Sequence, residues 1–90
     1  FNLLQNYPNP FNPSTKIRFS VPLAGVVTVK VYDLQGKEIA TLHNSSMNAG
    51  SYEVDWNGSD SFGKPVSSGI YFCRLVSGNN QKTVKMILSK

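Results

Sequence analysis

With 90 residues the chain is long enough to bury one core and too short for two. Nine Lys and Arg against five Asp and Glu give a net charge of +4, but the basic residues stand singly from Lys16 to Lys90. That is the pattern of a solvated sheet face, and it argues against a nucleic-acid partner.

A single cysteine, Cys73, excludes an intrachain disulfide and a cysteine-based zinc site. Lying in an apolar strand, it reads as a small buried hydrophobe. No apolar run approaches the ~18 residues that a membrane helix needs, so no transmembrane segment is expected and the chain reads as soluble. It begins at Phe1 without an initiator Met or a charged segment followed by an apolar one. No signal peptide is therefore expected within it, and it reads as part of something longer.

The opening, "NYPNPFNPSTKIRF", is dense in proline. Pro8, Pro10 and Pro13 fix φ and lack N–H donors, while Tyr7, Asn9 and Asn12, each preceding a proline, are pushed to extended conformations. Residues 1–13 therefore read as a stiff, polyproline-like arm. Leu4, Tyr7 and Phe11 are spaced as apolar anchors that can pin it along a sandwich and cover an open sheet edge.

From Thr15 onward the apolar period is two. "TKIRFSV" alternates Ile17, Phe19 and Val21 against Lys16, Arg18 and Ser20, and Pro22 ends it. "VVTVKVY" puts Val27, Val29 and Val31 on one face. "DLQGK" then reads as a hairpin closed at Leu34, Gln35 and Gly36, pairing Asp33 with Lys37 and Val31 with Ile39. "HNSSMNAG" reads as a polar loop containing His43. "SYEVDW" turns Tyr52, Val54 and Trp56 inward, and Trp56 reads as a core plug. A long loop, "NGSDSFGKPVSSG", follows. The last hairpin closes on Gly78 and Asn79, which both tolerate positive φ in a two-residue turn, and pairs Ser77 with Asn80, Cys73 with Val84 and Tyr71 with Met86. Its other face sets Arg74 opposite Thr83 and Phe72 opposite Lys85. Counting a short extended piece at Leu3 and Leu4, the fold class is all-β: an immunoglobulin-like antiparallel sandwich of about seven strands without a disulfide, and no internal repeat is visible.

Motifs that carry chemistry are few. His43 has no second His or Cys with which to share a metal, and no G-x-S-x-G elbow, G-x-G-x-x-G or P-loop occurs. In "DWNGSD", Asp55, Asn57 and Asp60 form a weak Ca²⁺ candidate. An EF-type loop, however, requires Gly where Asp60 stands and Glu where Val66 stands, so turn chemistry is the preferred reading. Asn44-Ser45-Ser46 and Asn57-Gly58-Ser59 match the N-glycosylation pattern and read as ordinary loop composition. No enzyme activity and no cofactor are expected.

Four phrases taken together, "NYPNPFNPSTKIRF", "VYDLQGKEIATL", "AGSYEVDWNGSDSFGKPVSSGIYFCRL" and the closing "KTVKMILSK", resemble the type A C-terminal sorting domain of proteins exported by the bacterial type IX secretion system. The stretch from Trp56 to Tyr71 is also similar to the Ig-like domain of the flagellar hook-capping protein. The resemblance covers nearly the whole chain, so residues 1–90 are expected to form a single sorting domain.

What it implies is a non-catalytic address. An upstream cargo of the same chain reaches the periplasm, the outer-membrane secretion machinery recognises the folded domain, and a sortase-like peptidase removes it at the cell surface. Carried over, the recognition motif comprises Asn9, Pro10, Asn12, Pro13, Asp33, Leu34, Gly36, Gly69, Tyr71 and the tail from Lys85 to Lys90. Two positions depart from the family pattern: Cys73, where an aromatic or aliphatic residue is more usual, and Asn57, where Asp is. The final strand, with Thr83, Lys85 and Ile87 outward, is expected at a sheet edge, where a partner can read it by strand addition. The competing readings are a structural accessory module and a carbohydrate-binding module, the latter needing a flat platform from Tyr32 and Phe72.

Overall fold

The computed structural model describes residues 1–90 as seven β-strands in two antiparallel sheets, a β-sandwich as the alternation requires. Strands β1 (Asn2–Leu3), β2 (Thr15–Val21) and β5 (Gly50–Trp56) form one sheet in the order β1-β2-β5. Strands β3 (Gly25–Tyr32), β4 (Glu38–Met47), β6 (Gly69–Ser77) and β7 (Asn80–Leu88) form the other in the order β4-β3-β6-β7. The period-two residues meet between them: Ile17, Phe19 and Val21 face Val27, Val29, Val31, Cys73, Leu75 and Met86, all buried. Burying each aliphatic side chain there contributes about 1.5–3 kcal/mol relative to leaving it in water. No buried side-chain N or O lacks a hydrogen-bond partner.

The β6–β7 hairpin has the register expected of it, Ser77 against Asn80, Cys73 against Val84 and Tyr71 against Met86, through nine consecutive pairs without a shift. At its turn, positive φ falls on Gly78 and not on Asn79. That is the type II′ arrangement, in which only the first central residue needs it.

Strand β4 differs from expectation twice. The segment read as a polar loop is strand: Ser46, Ser45, Asn44 and His43 pair with Val26, Val27, Thr28 and Val29, leaving only Asn48 and Ala49 as the connection to β5. At a sheet edge the backbone gains ladder bonds while polar side chains stand in water, so polarity there does not mean loop. Secondly, Val31 faces Ala40 rather than Ile39. Register shifts between Val29 and Lys30 and between Val31 and Tyr32 leave Leu42 and Ile39 as extra residues on β4, each bulge displacing the pairing by one.

The arm also corrects the anchors assigned to it. Leu4 is 46% exposed and Tyr7 75%, whereas Leu3 and Asn6 are buried. Pairing of Leu3 with Phe19 turns Leu3 inward, and alternation then points Leu4 out. Tyr7 is held by its backbone instead, its N–H donating to the Lys16 carbonyl at 3.0 Å and its carbonyl accepting from Lys16 N at 2.9 Å. The arm is not a polyproline helix. It bends repeatedly between Pro8 and Pro13, and the bonds preceding Pro8, Pro10 and Pro13 are cis.

Candidate recognition site

Strand β7 is the last in its sheet, as expected, with β6 as its one strand neighbour. Antiparallel pairing turns alternate residues toward and away from the neighbour. The N–H and C=O of Ile87 point away from β6, and by alternation so do those of Gln81, Thr83 and Lys85. The arm occupies the end of this outer edge. Phe11 N donates to the Ile87 carbonyl at 2.9 Å, and Ser89 N donates to the Phe11 carbonyl at 2.9 Å. Between these contacts, Asn9 Oδ1 accepts the Ile87 N–H at 2.9 Å and Gln5 Nε2 donates to the Lys85 carbonyl at 2.7 Å. Pro8 and Pro10 cannot donate from the main chain, so the amide side chains of Gln5 and Asn9 stand in for a strand's own groups.

Two further contacts fix the arm. Phe11, 2% exposed, sets its ring 5.5 Å from that of Trp56, which in turn meets Tyr71 edge-on at 5.2 Å. The polar tips of both partners are satisfied: Trp56 Nε1 donates to the Ser59 carbonyl at 2.9 Å and Tyr71 Oη to the Ser67 carbonyl at 2.6 Å. Trp56 is thus the core plug expected of it, completed by a ring from the arm. Behind Phe11, buried Asn6 donates to Thr15 Oγ1 at 2.9 Å and to the Pro8 carbonyl at 3.1 Å, and the Thr15 hydroxyl donates to Pro8 at 2.8 Å.

The expected motif residues fall into two groups. Asn9 and Lys85 lie along the β7 edge, while Pro10, Asn12 and Pro13 stay exposed in the bends of the arm. Asp33, Gly69 and Tyr71 line a groove of about 570 Å³ beside the turn that contains Leu34 and Gly36. In that turn Asp33 Oδ1 accepts Gln35 N and Lys37 N, both at 2.9 Å, Asp33 N donates to the Lys37 carbonyl, and Gly36 takes φ +86°. Lys90 closes the far side, its N–H donating to Ser68 Oγ at 3.0 Å and its ammonium to the Val66 carbonyl.

The same turn occurs again across the groove. Asp60 Oδ1 accepts Phe62 N and Lys64 N, both at 2.9 Å, Asp60 N donates to the Lys64 carbonyl, and Gly63 takes φ +82°. The shared D-x-x-G-K spelling of Asp33–Lys37 and Asp60–Lys64 is the sequence signal for this pair, a short repeat where none was expected. Sequence reasoning also passed over Gln5, Asn6 and Gly58. A Cβ on Gly58, at φ +75°, would stand 3.1 Å from the Pro13 carbonyl oxygen.

The Ca²⁺ candidates are not assembled into a site. Asp55 accepts Lys16 Nζ at 3.2 Å on the outer sheet face, Asn57 Oδ1 accepts Ser59 N at 3.1 Å, and Asp60 serves its turn. His43 lies in β4, its Nε2 3.1 Å from Ser45 Oγ. Tyr32 does not present a bare ring, because the Arg74 guanidinium sits 4.7 Å over it.

The carboxylates are largely spoken for. Glu53 meets Arg18 at 2.8 Å and Lys16 at 3.4 Å, and Glu38 meets Lys30 at 3.0 Å. The hydrogen bond from Arg18 holds the Glu53 carboxyl below its ordinary range, that from Lys30 does the same for Glu38, and Lys16 and Lys30 are raised in return by their acidic partners. No ion pair involves Lys82 or Lys85, so β7 carries unpaired positive charge.

Among solved structures, the chain is similar to FlgD from P. aeruginosa at 24% identity and a TM-score of 0.60, covering 83% of this chain and 59% of that one. It is also similar to PorZ, a surface component of the type IX secretion system of Porphyromonas gingivalis, at 22% identity and a TM-score of 0.67, covering 96% of this chain and 11% of that one. These likenesses show the shared fold. No curated protein matches. The family model described as the secretion system C-terminal sorting domain matches residues 5–89, from Gln5, which reaches for β7, to Ser89, which closes on Phe11. The chain belongs to the family of secretion system C-terminal sorting domains.

Proposed function

We propose that this chain is a non-catalytic address by which the type IX machinery carries an upstream cargo from the periplasm through the outer membrane to the cell surface or exterior. The observation that carries it is the family match over residues 5–89. The structure supports reading that span as one signal, because the N-terminal motif and the final strand are bonded to each other through Asn9, Phe11, Ile87 and Ser89. Residues 1–90 then act as a single sorting unit, recognised by the outer-membrane machinery and removed by a sortase-like peptidase on the chain's N-terminal side. The motif residues Asn9, Pro10, Asn12, Pro13, Asp33, Gly36, Gly69, Tyr71, Lys85 and Lys90 act mainly by building the surface that is read.

The test is a reporter fused ahead of residues 1–90 and expressed with and without the type IX translocon. Export that depends on the translocon, and that is lost on deleting Gln81 to Lys90, is the expected result. Export without the translocon overturns the proposal.

A further inference from the structure

The arm bonds to the outer edge of β7 from Lys85 onward, and none of its hydrogen bonds reaches Gln81 or Thr83. Both residues are exposed, and their N–H and C=O groups point away from β6. We propose that the edge from Gln81 to Lys85 is a docking site for an extended protein segment that adds as a further strand and alternates acidic with apolar side chains.

Regularity favours this edge over the other edge of its sheet. The β6–β7 ladder has no bulge, whereas β4, at the other end of the same sheet, is shifted twice and has its Ile39 carbonyl taken by Ser61 N. Bulged edges twist away from a straight partner, and a regular edge accepts one.

The chemistry of the occupant follows from the side chains beside it. On the outer face an added strand sits beside Thr83 and Lys85, and Lys85 has no acidic partner. Opposite charges across adjacent strands attract, which favours Glu or Asp there. On the inner face lies Val84, half-buried and packed against the core, so an apolar residue beside it extends the sandwich. A second copy of this chain fits poorly, since β7 carries Lys82 and Lys85 and no acidic residue, so pairing β7 with β7 brings positive charge to positive charge with no acid between. Only the partner's identity, the secretion machinery, rests on the sorting function proposed above; the site itself rests on the geometry of β7.

The test titrates the chain with a short synthetic peptide alternating Glu and Val, read by amide hydrogen exchange. Slowed exchange at Thr83 and Lys85, with β4 unaffected, is expected, together with binding roughly fivefold weaker when Lys replaces Glu in the peptide. Thr83→Pro removes an outward N–H without breaking a bond to β6, a position where an edge strand tolerates proline. It is expected to keep the fold and abolish the protection; unchanged peptide affinity in the folded variant overturns the proposal. Should Thr83→Pro unfold the chain, Lys85→Glu supplies the second reading. It is expected to reverse the preference between the Glu and Lys peptides, and an unreversed preference overturns the site. In the export assay, a Thr83→Pro reporter exported at the wild-type level sinks the docking edge and leaves the sorting function standing. Translocon-independent export of the wild-type reporter sinks the sorting function and leaves the peptide result standing.

Discussion

Phe11 of the proline-rich arm packs on Trp56 at the end of β5, with ring centroids 5.5 Å apart and planes tilted by 56°. The pair joins a residue that precedes the first long strand to the end of another, and the Phe11 backbone at the same time bonds to Ile87 and Ser89. Phe11→Ala therefore removes a buried ring and the anchor of the arm together. A loss of about 3–5 kcal/mol in urea unfolding is expected, with faster amide exchange at Ile87 and Ser89. A cost under about 1 kcal/mol means that the ring is not the anchor.

Gly58 and Gly36 both have positive φ, at +75° and +86°, but their surroundings differ. A Cβ on Gly36 meets nothing within 4 Å, while one on Gly58 meets the Pro13 carbonyl oxygen at 3.1 Å, a backbone atom with little room to yield. Gly36→Ala should cost about 1–2 kcal/mol, the left-handed backbone penalty alone. Gly58→Ala should cost more than this and also loosen the arm at Pro13. Thermal melts of the two variants check the order, and equal melting temperatures contradict it.

The outer ion pairs give a shallow pH dependence. The folded-state pKa of Glu53 and of Glu38 lies below the ordinary 4.5, each held down first by the hydrogen bond from its cationic partner. A depressed carboxylate contributes stability above its unfolded pKa and loses it as pH falls through the folded value, so the melting temperature should decline below about pH 4.5. Lys16 and Lys30 are raised above 10.5, so their share is present below that pH and lost as pH rises through the folded values. Lys16, Glu38 and Glu53 are exposed and Lys30 is half-buried at the surface, which keeps the effect small and screened by salt. Melting curves from pH 3 to 7 should flatten in Glu53→Gln and in about 1 M salt, where the Debye length is ~3 Å. An acid limb unchanged by both contradicts the assignment.

Cys73 is fully buried in β6, and burial pushes its thiol up to about 12. The thiolate is the reactive form, so the native chain should resist alkylation at pH 8. Labelling should track unfolding, with the same dependence on urea as the fluorescence of Trp56. Rapid labelling without urea would place Cys73 nearer the surface than β6 allows.

Where the sequence spoke clearly, it did so through short-range rules. The register of β6 and β7 follows from Gly78 and from apolar alternation, so the pairs from Ser77–Asn80 to Tyr71–Met86 were legible. The docking of the arm is legible from the spacing of its apolar residues, of which Phe11 is buried while Leu4 and Tyr7 are not. The misreadings come from long-range pairing. Asn44, Ser45 and Ser46 have loop composition, and only their ladder with β3 makes them strand. Ile39 and Leu42 alternate plausibly, but bulges shift them. Leu4 and Tyr7 were mistaken for anchors because side-chain character reveals neither the parity set by Leu3 and Phe19 nor the buried amide of Asn6. The Asp60 turn could have been found, since it repeats the spelling of the Asp33 turn.

Synthesis runs from the N-terminal side, so the arm is made before its partners on β7. Until Ile87 and Ser89 exist, Asn9 and Phe11 have no edge to close upon, and Trp56 lacks its cover. The seam therefore reports the arrival of β7: a chain broken off before it displays the edge of β6 and a bare indole, while one that includes it hides both.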